Sequence, residues 1–269
     1  MGLAAVGHLE WIEFVHVDHV PAAGEIVNST DGFEEPAGGG AVAAVQLARM
    51  AGSASLITAL GDDEIADRSR GRLGELGVAV DAAIRDEPTR RGLTMLDSRG
   101  ERTIITIGDR LAPRGRDPLD WSALEGADGV YFTAGDEGAL RAARAARVLV
   151  ATPRAGQVLA EAGVELDALV YSAADDLESG FAAAVEPRPR LLVATSGADG
   201  GRYETSDGRT GTWAAAPLPG PLADTYGSGD TFAGALTYGL AAGEAVDSSL
   251  ELAAEAAASC LARQGPYQS

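Results

Sequence analysis

Short apolar runs recur along this chain, set apart by Ala-rich helical patterns, and that alternation narrows the accessible folds more than any other feature. Leu3 to Val6, Ser55 to Leu60, Gly129 to Gly135, Val148 to Thr152, Ala168 to Tyr171 and Leu191 to Thr195 read as buried strands. Ala41 to Met50, stopped by Gly52, and Glu64 to Leu76 read as helices between them, with Asp62 and Asp63 placed to cap the second. Strands alternating with helices imply a parallel sheet with right-handed crossovers. Ligands in such sheets gather beyond the carboxyl ends of the strands. A chain of 269 residues has the length for one such α/β domain and an ample core.

Composition removes several function classes. Every basic side chain that is permanently charged is an Arg, because the chain contains no Lys, so a phosphate-binding loop of the GxxxxGK[ST] type is excluded. A formal net charge of -19 argues against a nucleic-acid-binding surface. The lone Cys260, in Ala-rich surroundings, reads as a small buried apolar residue, and no cysteine cluster suggests a metal. No stretch approaches the roughly 20 apolar residues of a membrane span, which makes the cytoplasm the default location.

The stretch with the most chemical content is Asp224-Thr225-Tyr226-Gly227-Ser228-Gly229-Asp230, which runs into the helical pattern of Thr231 to Ala242. A glycine-rich loop feeding a helix N-terminus offers unpaired amides and the positive end of the helix dipole to an anion. Asp230 beside such a site reads either as a plain helix cap or as a general base aimed at a hydroxyl that attacks phosphorus. Gly38-Gly39-Gly40 before the Ala41 helix reads, taken by itself, as a hinge ahead of a core helix. Tyr203 to Thr205 and Thr210 to Trp213, flanking Asp207-Gly208, read as a hairpin.

The 224–230 run followed by Phe232-Ala233-Gly234-Ala235 resembles the C-terminal signature of the ribokinase-like (PfkB) carbohydrate kinases, D-T-x-G-A/S-G-D. Gly38-Gly39-Gly40-Ala41 and Gly61-Asp62-Asp63 resemble, more loosely, two further family stretches. The resemblance implies a three-layer α/β/α sandwich over residues 1–269, with a mostly parallel central sheet. It implies also a small β lid from strands at about 11–35 and 91–107, the latter pair joined by a polar connection at 97–101. It assigns Asp230 as the base and Gly227, Ser228 and Gly229 as the anion hole for the transferred group. Gly39 and Gly40 would contact the acceptor, and Thr195, Gly197, Gly200 and Thr225 the nucleotide. ATP would be the donor and Mg2+ the metal, near Asp175, with pairing of two chains through the lid. Departures from the family pattern fall at Ile12, Ala43, Ala151 and the Ser172–Asp175 stretch. His8 and Glu10 are the candidate replacements at the acceptor site, although His8 reads equally as a buried histidine. The acceptor expected is a sugar or small polyol, with a nucleoside or vitamin-precursor alcohol, or a non-catalytic sensor on the same fold, as alternatives.

Overall fold

Leu3–Val6, the first strand β1, is buried along its whole length, as a strand must be when helices cover both faces of its sheet. The computed structural model describes residues 1–98 and 102–268. The strands that follow β1 are β2 (Glu10–His16), β3 (Asp31–Ala37), β4 (Ala54–Gly61), β5 (Val78–Arg85), β6 (Arg91–Leu96), β7 (Arg102–Ile107), β8 (Gly129–Phe132), β9 (Val148–Ala151), β10 (Ala168–Ser172), β11 (Leu191–Thr195), β12 (Gly201–Thr205) and β13 (Thr210–Trp213). The helices are α1 (Gly39–Ala51), α2 (Glu64–Glu75), α3 (Glu137–Ala143), α4 (Val158–Glu161), α5 (Asp176–Ala184), α6 (Ser228–Ala242) and α7 (Val246–Leu261).

The main sheet has the order β13-β12-β11-β10-β9-β8-β1-β4-β5, parallel from β11 through β5 and antiparallel at the β12–β13 hairpin. One core packs α1, α2, α6 and α7 on its first face; a second, built around Phe132, Leu140, Leu149 and Leu159, packs α3, α4 and α5 on the other. This is the expected α/β/α sandwich. The Ala-rich helices do what their composition allows: a Cβ on Gly234 of α6 would lie 3.1 Å from the Ala43 carbonyl of α1. Ala43 is therefore a packing residue between two helices, whatever its family counterpart does.

A second, four-stranded sheet of order β3-β2-β6-β7 forms the small lid. Its boundaries correct the sequence reading. The strand expected from Trp11 to Val20 ends at His16, and the one expected from Glu25 to Phe33 begins only at Asp31, because Pro21 and Gly24 break the intervening chain. Pro36 is tolerated in β3 because that strand is the sheet edge. Arg99, Gly100 and Glu101 of the expected hairpin connection lie outside the described residues. The edge strand β5 was not anticipated beyond the turn at Gly77-Val78; only two of its eight residues are buried, and Asp81 interrupts its apolar run. Among the described residues no helix is long and apolar enough to cross a membrane.

Candidate active site

Helix α6 begins at Ser228, three residues ahead of the expected start, and its N-cap is Gly227 with φ 77° and no capping side chain. Asp230 is thus the third helical residue, and the plain-cap reading of it fails. The first amide to find an intrahelical partner is that of Thr231, donating to the Gly227 carbonyl at 2.8 Å. The amides of Ser228, Gly229 and Asp230 are left without acceptors among the described residues, and the space a Gly229 Cβ would occupy is open. Below the loop, buried Asp224 accepts from Tyr226 N at 2.8 Å and from Gly265 N at 3.0 Å, tying the loop to the C-terminal segment. Ser228 Oγ donates to the Thr225 carbonyl at 3.2 Å, which closes the turn.

The carboxylate of Asp230 is held from beneath. The hydroxyl of Tyr131, on β8, donates to Asp230 Oδ1 at 3.1 Å. A Cβ on Gly39 would stand 2.9 Å from the same oxygen and 2.8 Å from the Thr133 hydroxyl, so glycine is required there for the carboxylate to fit. Desolvation raises the proton affinity of Asp230 above the usual carboxylate range; the Tyr131 hydrogen bond and the Arg154 charge oppose that rise, Glu178 adds to it and Arg110 opposes it. Burial also pushes the Tyr131 hydroxyl well above its ordinary value, which keeps it a donor.

The triple glycine is no hinge. Gly38 has φ 87° and donates to the Tyr226 hydroxyl at 3.3 Å; Gly39 N–H donates to His8 Nε2 at 3.3 Å; Gly40 N–H donates to the His8 carbonyl at 3.1 Å. A Cβ on Gly40 would press within 2.9 Å of that carbonyl. His8 is buried, its proton affinity lowered to about 3 by desolvation and by Arg110, Arg90 and Arg154, so the ring is neutral and its Nε2 is an acceptor. Its Nδ1 has no hydrogen-bond partner among the described residues. Glu10 stands 3.2 Å from Arg90 Nε, and burial raises its proton affinity against the pull of Arg90. The structure therefore brings Asp230, Gly39, Gly40, His8 and Glu10 together.

The remaining candidates sit apart from that cluster. Thr195 Oγ1, at the carboxyl end of β11, donates to the Tyr171 carbonyl at 3.2 Å. Gly197 (φ 57°) and Gly200 (φ 77°) shape the turn after it, and Gly200 is obligatory on packing grounds because a Cβ would reach 2.1 Å from the Trp213 carbonyl. Asp175 caps α5, accepting from Leu177 N at 3.0 Å and Glu178 N at 3.2 Å. Ile12 is fully buried in the lid and offers no polar group. Among the described residues no cluster of three or more His, Cys, Asp or Glu side chains is arranged to hold a metal. Cavities of about 530 and 420 Å3 lie elsewhere, one at the amino ends of β1 and β4 and one over β11–β13, and neither is lined by Asp230.

A family model described as pfkB family carbohydrate kinase matches residues 2–162 and 162–269. The chain belongs to that family. A 108-residue part of this pfkB-family chain is 28% identical to a ribokinase of Dictyostelium discoideum; the match covers 39% of the chain and 34% of that protein's length. A ribokinase of Arabidopsis thaliana, solved with ribose and ATP, superposes with TM-score 0.75 at 21% identity, covering 98% of this chain and 93% of its own. Adenosine kinase of Sinorhizobium meliloti superposes with TM-score 0.79 at 17% identity over 99% and 95%. These likenesses establish a ribokinase-like fold.

Several residues escaped the sequence reading. Tyr131 and the guanidinium groups of Arg90, Arg110 and Arg154 come from separate elements and meet around Asp230, Glu10 and His8 only in three dimensions. Arg154 pairs with Glu178 of α5 at 2.7 Å and stands 4.0 Å from Asp175, and Glu178 also accepts from Ser172 N at 2.8 Å, so Glu178 joins Asp175 beside the end of β10. The one available signal was Thr152-Pro153-Arg154, a strand end whose Arg follows the Ala151 position that drew attention.

Proposed function

We propose that the protein transfers the terminal phosphoryl group of ATP to a hydroxyl of a sugar or related small polyol. The observation that carries this reading is the pairing of a carboxylate braced by Tyr131 with three unfilled helix amides one turn or less away. Asp230 takes the proton of the acceptor hydroxyl as that oxygen forms its bond to phosphorus, and the bridging P–O bond breaks toward the departing ADP. The amides of Ser228 and Gly229, with Gly227 setting their direction, bear the charge that spreads over the phosphoryl oxygens. His8, Glu10, Gly39 and Gly40 position the acceptor, and the turn at Thr195, Gly197 and Gly200, with Thr225, borders the nucleotide.

Magnesium suits this arrangement only as an ion that arrives with the triphosphate, keeping several waters, since the described residues supply no cage of their own. Asp175 and Glu178 are the carboxylates that would hold its waters, and the ion would supply charge neutralisation on the phosphates. The likeness to adenosine kinase keeps nucleosides within the acceptor class. The lid offers a route to a homodimer: Ile104, Ile105 and Ile107 of its edge strand β7 are 41%, 49% and 49% exposed. A triphosphate-dependent reaction agrees with the cytoplasmic location expected from the sequence.

The test is acceptor-dependent ADP release from magnesium-ATP across sugars, polyols and nucleosides, with Asp230→Asn in parallel. Release that depends on the acceptor and drops about 10²–10⁴-fold in the variant is expected. Near-full turnover by Asp230→Asn would remove Asp230 from the role of base.

A further inference from the structure

The D-T-x-G run leaves its third position open, and in this chain that position carries a buried aromatic, Tyr226. Its backbone belongs to the loop: the amide donates to Asp224 Oδ1 at 2.8 Å, and the next residue is Gly227, whose φ of 77° aims the first amides of α6. The loop does not need the side chain. Its closing contacts, from Asp224 to the Tyr226 amide and from Ser228 Oγ to the Thr225 carbonyl, end on backbone atoms.

The side chain reaches two other parts of the molecule instead. Its hydroxyl accepts from Gly38 N at 3.3 Å, next to Gly39, which lies against Asp230. Its ring meets Phe14 of the lid strand β2 edge-on, with centroids 5.1 Å apart, and Phe14 stacks at 4.7 Å on Phe33 of β3. The Arg102 guanidinium of β7 stands 5.8 Å from the centre of the same ring. Burial pushes the Tyr226 hydroxyl well above its ordinary value, so it stays an uncharged acceptor for Gly38. In an interior packed this closely, a ring with partners at its edge and at its hydroxyl moves only when they move.

We infer that Tyr226 is a positioning residue: it couples the lid and the Gly38 turn to the 224–230 loop, so that the seating of the lid sets the direction of the Ser228 and Gly229 amides. An acceptor that draws the lid down also readies the loop for the phosphoryl group. By linkage, a nucleotide on the loop then tightens the hold on the acceptor. The inference rests on the kinase reading for the identity of the groups that meet at the loop, and its test separates the two.

The link is tested first without any ligand, by amide hydrogen exchange. Thr231 N–H, which donates to the Gly227 carbonyl, reports on the loop; Leu149 N–H, which donates to Asp167 beside the main sheet, reports on the fold at large. Phe14→Leu in the lid should speed exchange at Thr231 by about 3–10-fold, the worth of an aromatic pair, and leave Leu149 unchanged. The same substitution made in Tyr226→Leu should add nothing at Thr231. An unmoved Thr231 in Phe14→Leu, or a full second increment in the double variant, overturns the inference. In turnover of magnesium-ATP with an acceptor found among the sugars, polyols and nucleosides, Tyr226→Leu should lower kcat about 10-fold and leave KM for ATP within about twofold, with Tyr226→Phe between it and the wild type. A fall in Tm with kcat kept assigns Tyr226 to packing and overturns the inference, as does a change confined to KM for ATP. Exchange linked as expected in a protein that releases ADP with no acceptor leaves the coupling standing and removes the kinase; full turnover with Thr231 indifferent to Phe14 does the reverse.

Discussion

In the proposed reaction Asp230 has to act as a base, in a setting that already favours its protonation. Its raised proton affinity predicts an acid limb in the rate profile above the ordinary carboxylate range, with turnover falling as the pH drops through it. Because the Tyr131 hydrogen bond stabilises the charged form, Tyr131→Phe should move that limb to higher pH, which a kcat/KM profile would show; an unmoved limb would sever Tyr131 from the base. His8 works in the opposite sense. Its folded affinity is depressed to about 3, so between pH 6.5 and that value the unfolded chain binds the extra proton. Stability is complete above 6.5 and should fall by about 1.4 kcal/mol per pH unit below it. Urea unfolding at pH 7.5 and 5 should show a smaller loss in His8→Gln than in the wild type, and equal losses would contradict the neutral buried ring. At this scale the Asp230 loop was legible because all its residues are consecutive. Tyr131 was not, since nothing in a linear pattern tells a Tyr on a buried strand that it will meet an Asp 99 residues away.

Among the elements, α6 carries the proposed anion site on one backbone setting. Gly227 holds φ 77°, and a Cβ there would also stand 3.0 Å from Val42 Cγ1 of α1. Gly227→Ala should cost about 1–2 kcal/mol for the left-handed backbone alone, seen as a Tm drop of a few degrees, and should weaken nucleotide binding beyond that. Unchanged affinity and Tm would show that the N-terminus tolerates another geometry. Core strands and long helices were readable from periodicity to within a residue at best, as β1 and α2 show, and to within three at worst, as β8 and α6 show. The lid was legible in part: β6 and β7 flank the 97–101 connection as expected, whereas β2 and β3 are shorter or displaced around Pro21 and Gly24, and β5, with only two of its eight residues buried, was not read as a strand.

For the molecule as a whole, the lid poses the open association question. A strand such as β7, exposed at every residue and carrying three isoleucines, stays soluble by being covered or blunted. Light scattering at micromolar concentration should give the mass of a dimer, and Ile105→Lys should return it to a monomer; a monomeric wild type would remove the dimer. The two-core sandwich itself followed from the alternation of strand and helix, whereas the convergence of three arginines is a product of topology.

Only Gly7, His8 and Leu9 separate the central strand β1 from the lid strand β2. A rigid lever so short cannot swing at one end and stay still at the other. Since His8 receives the amides of Gly39 and Gly40 through its ring and its carbonyl, any rocking of the lid is geared to the floor proposed for the acceptor. Opening and unlatching are then one motion, and the isotope exchange of those two amides is a clock for it.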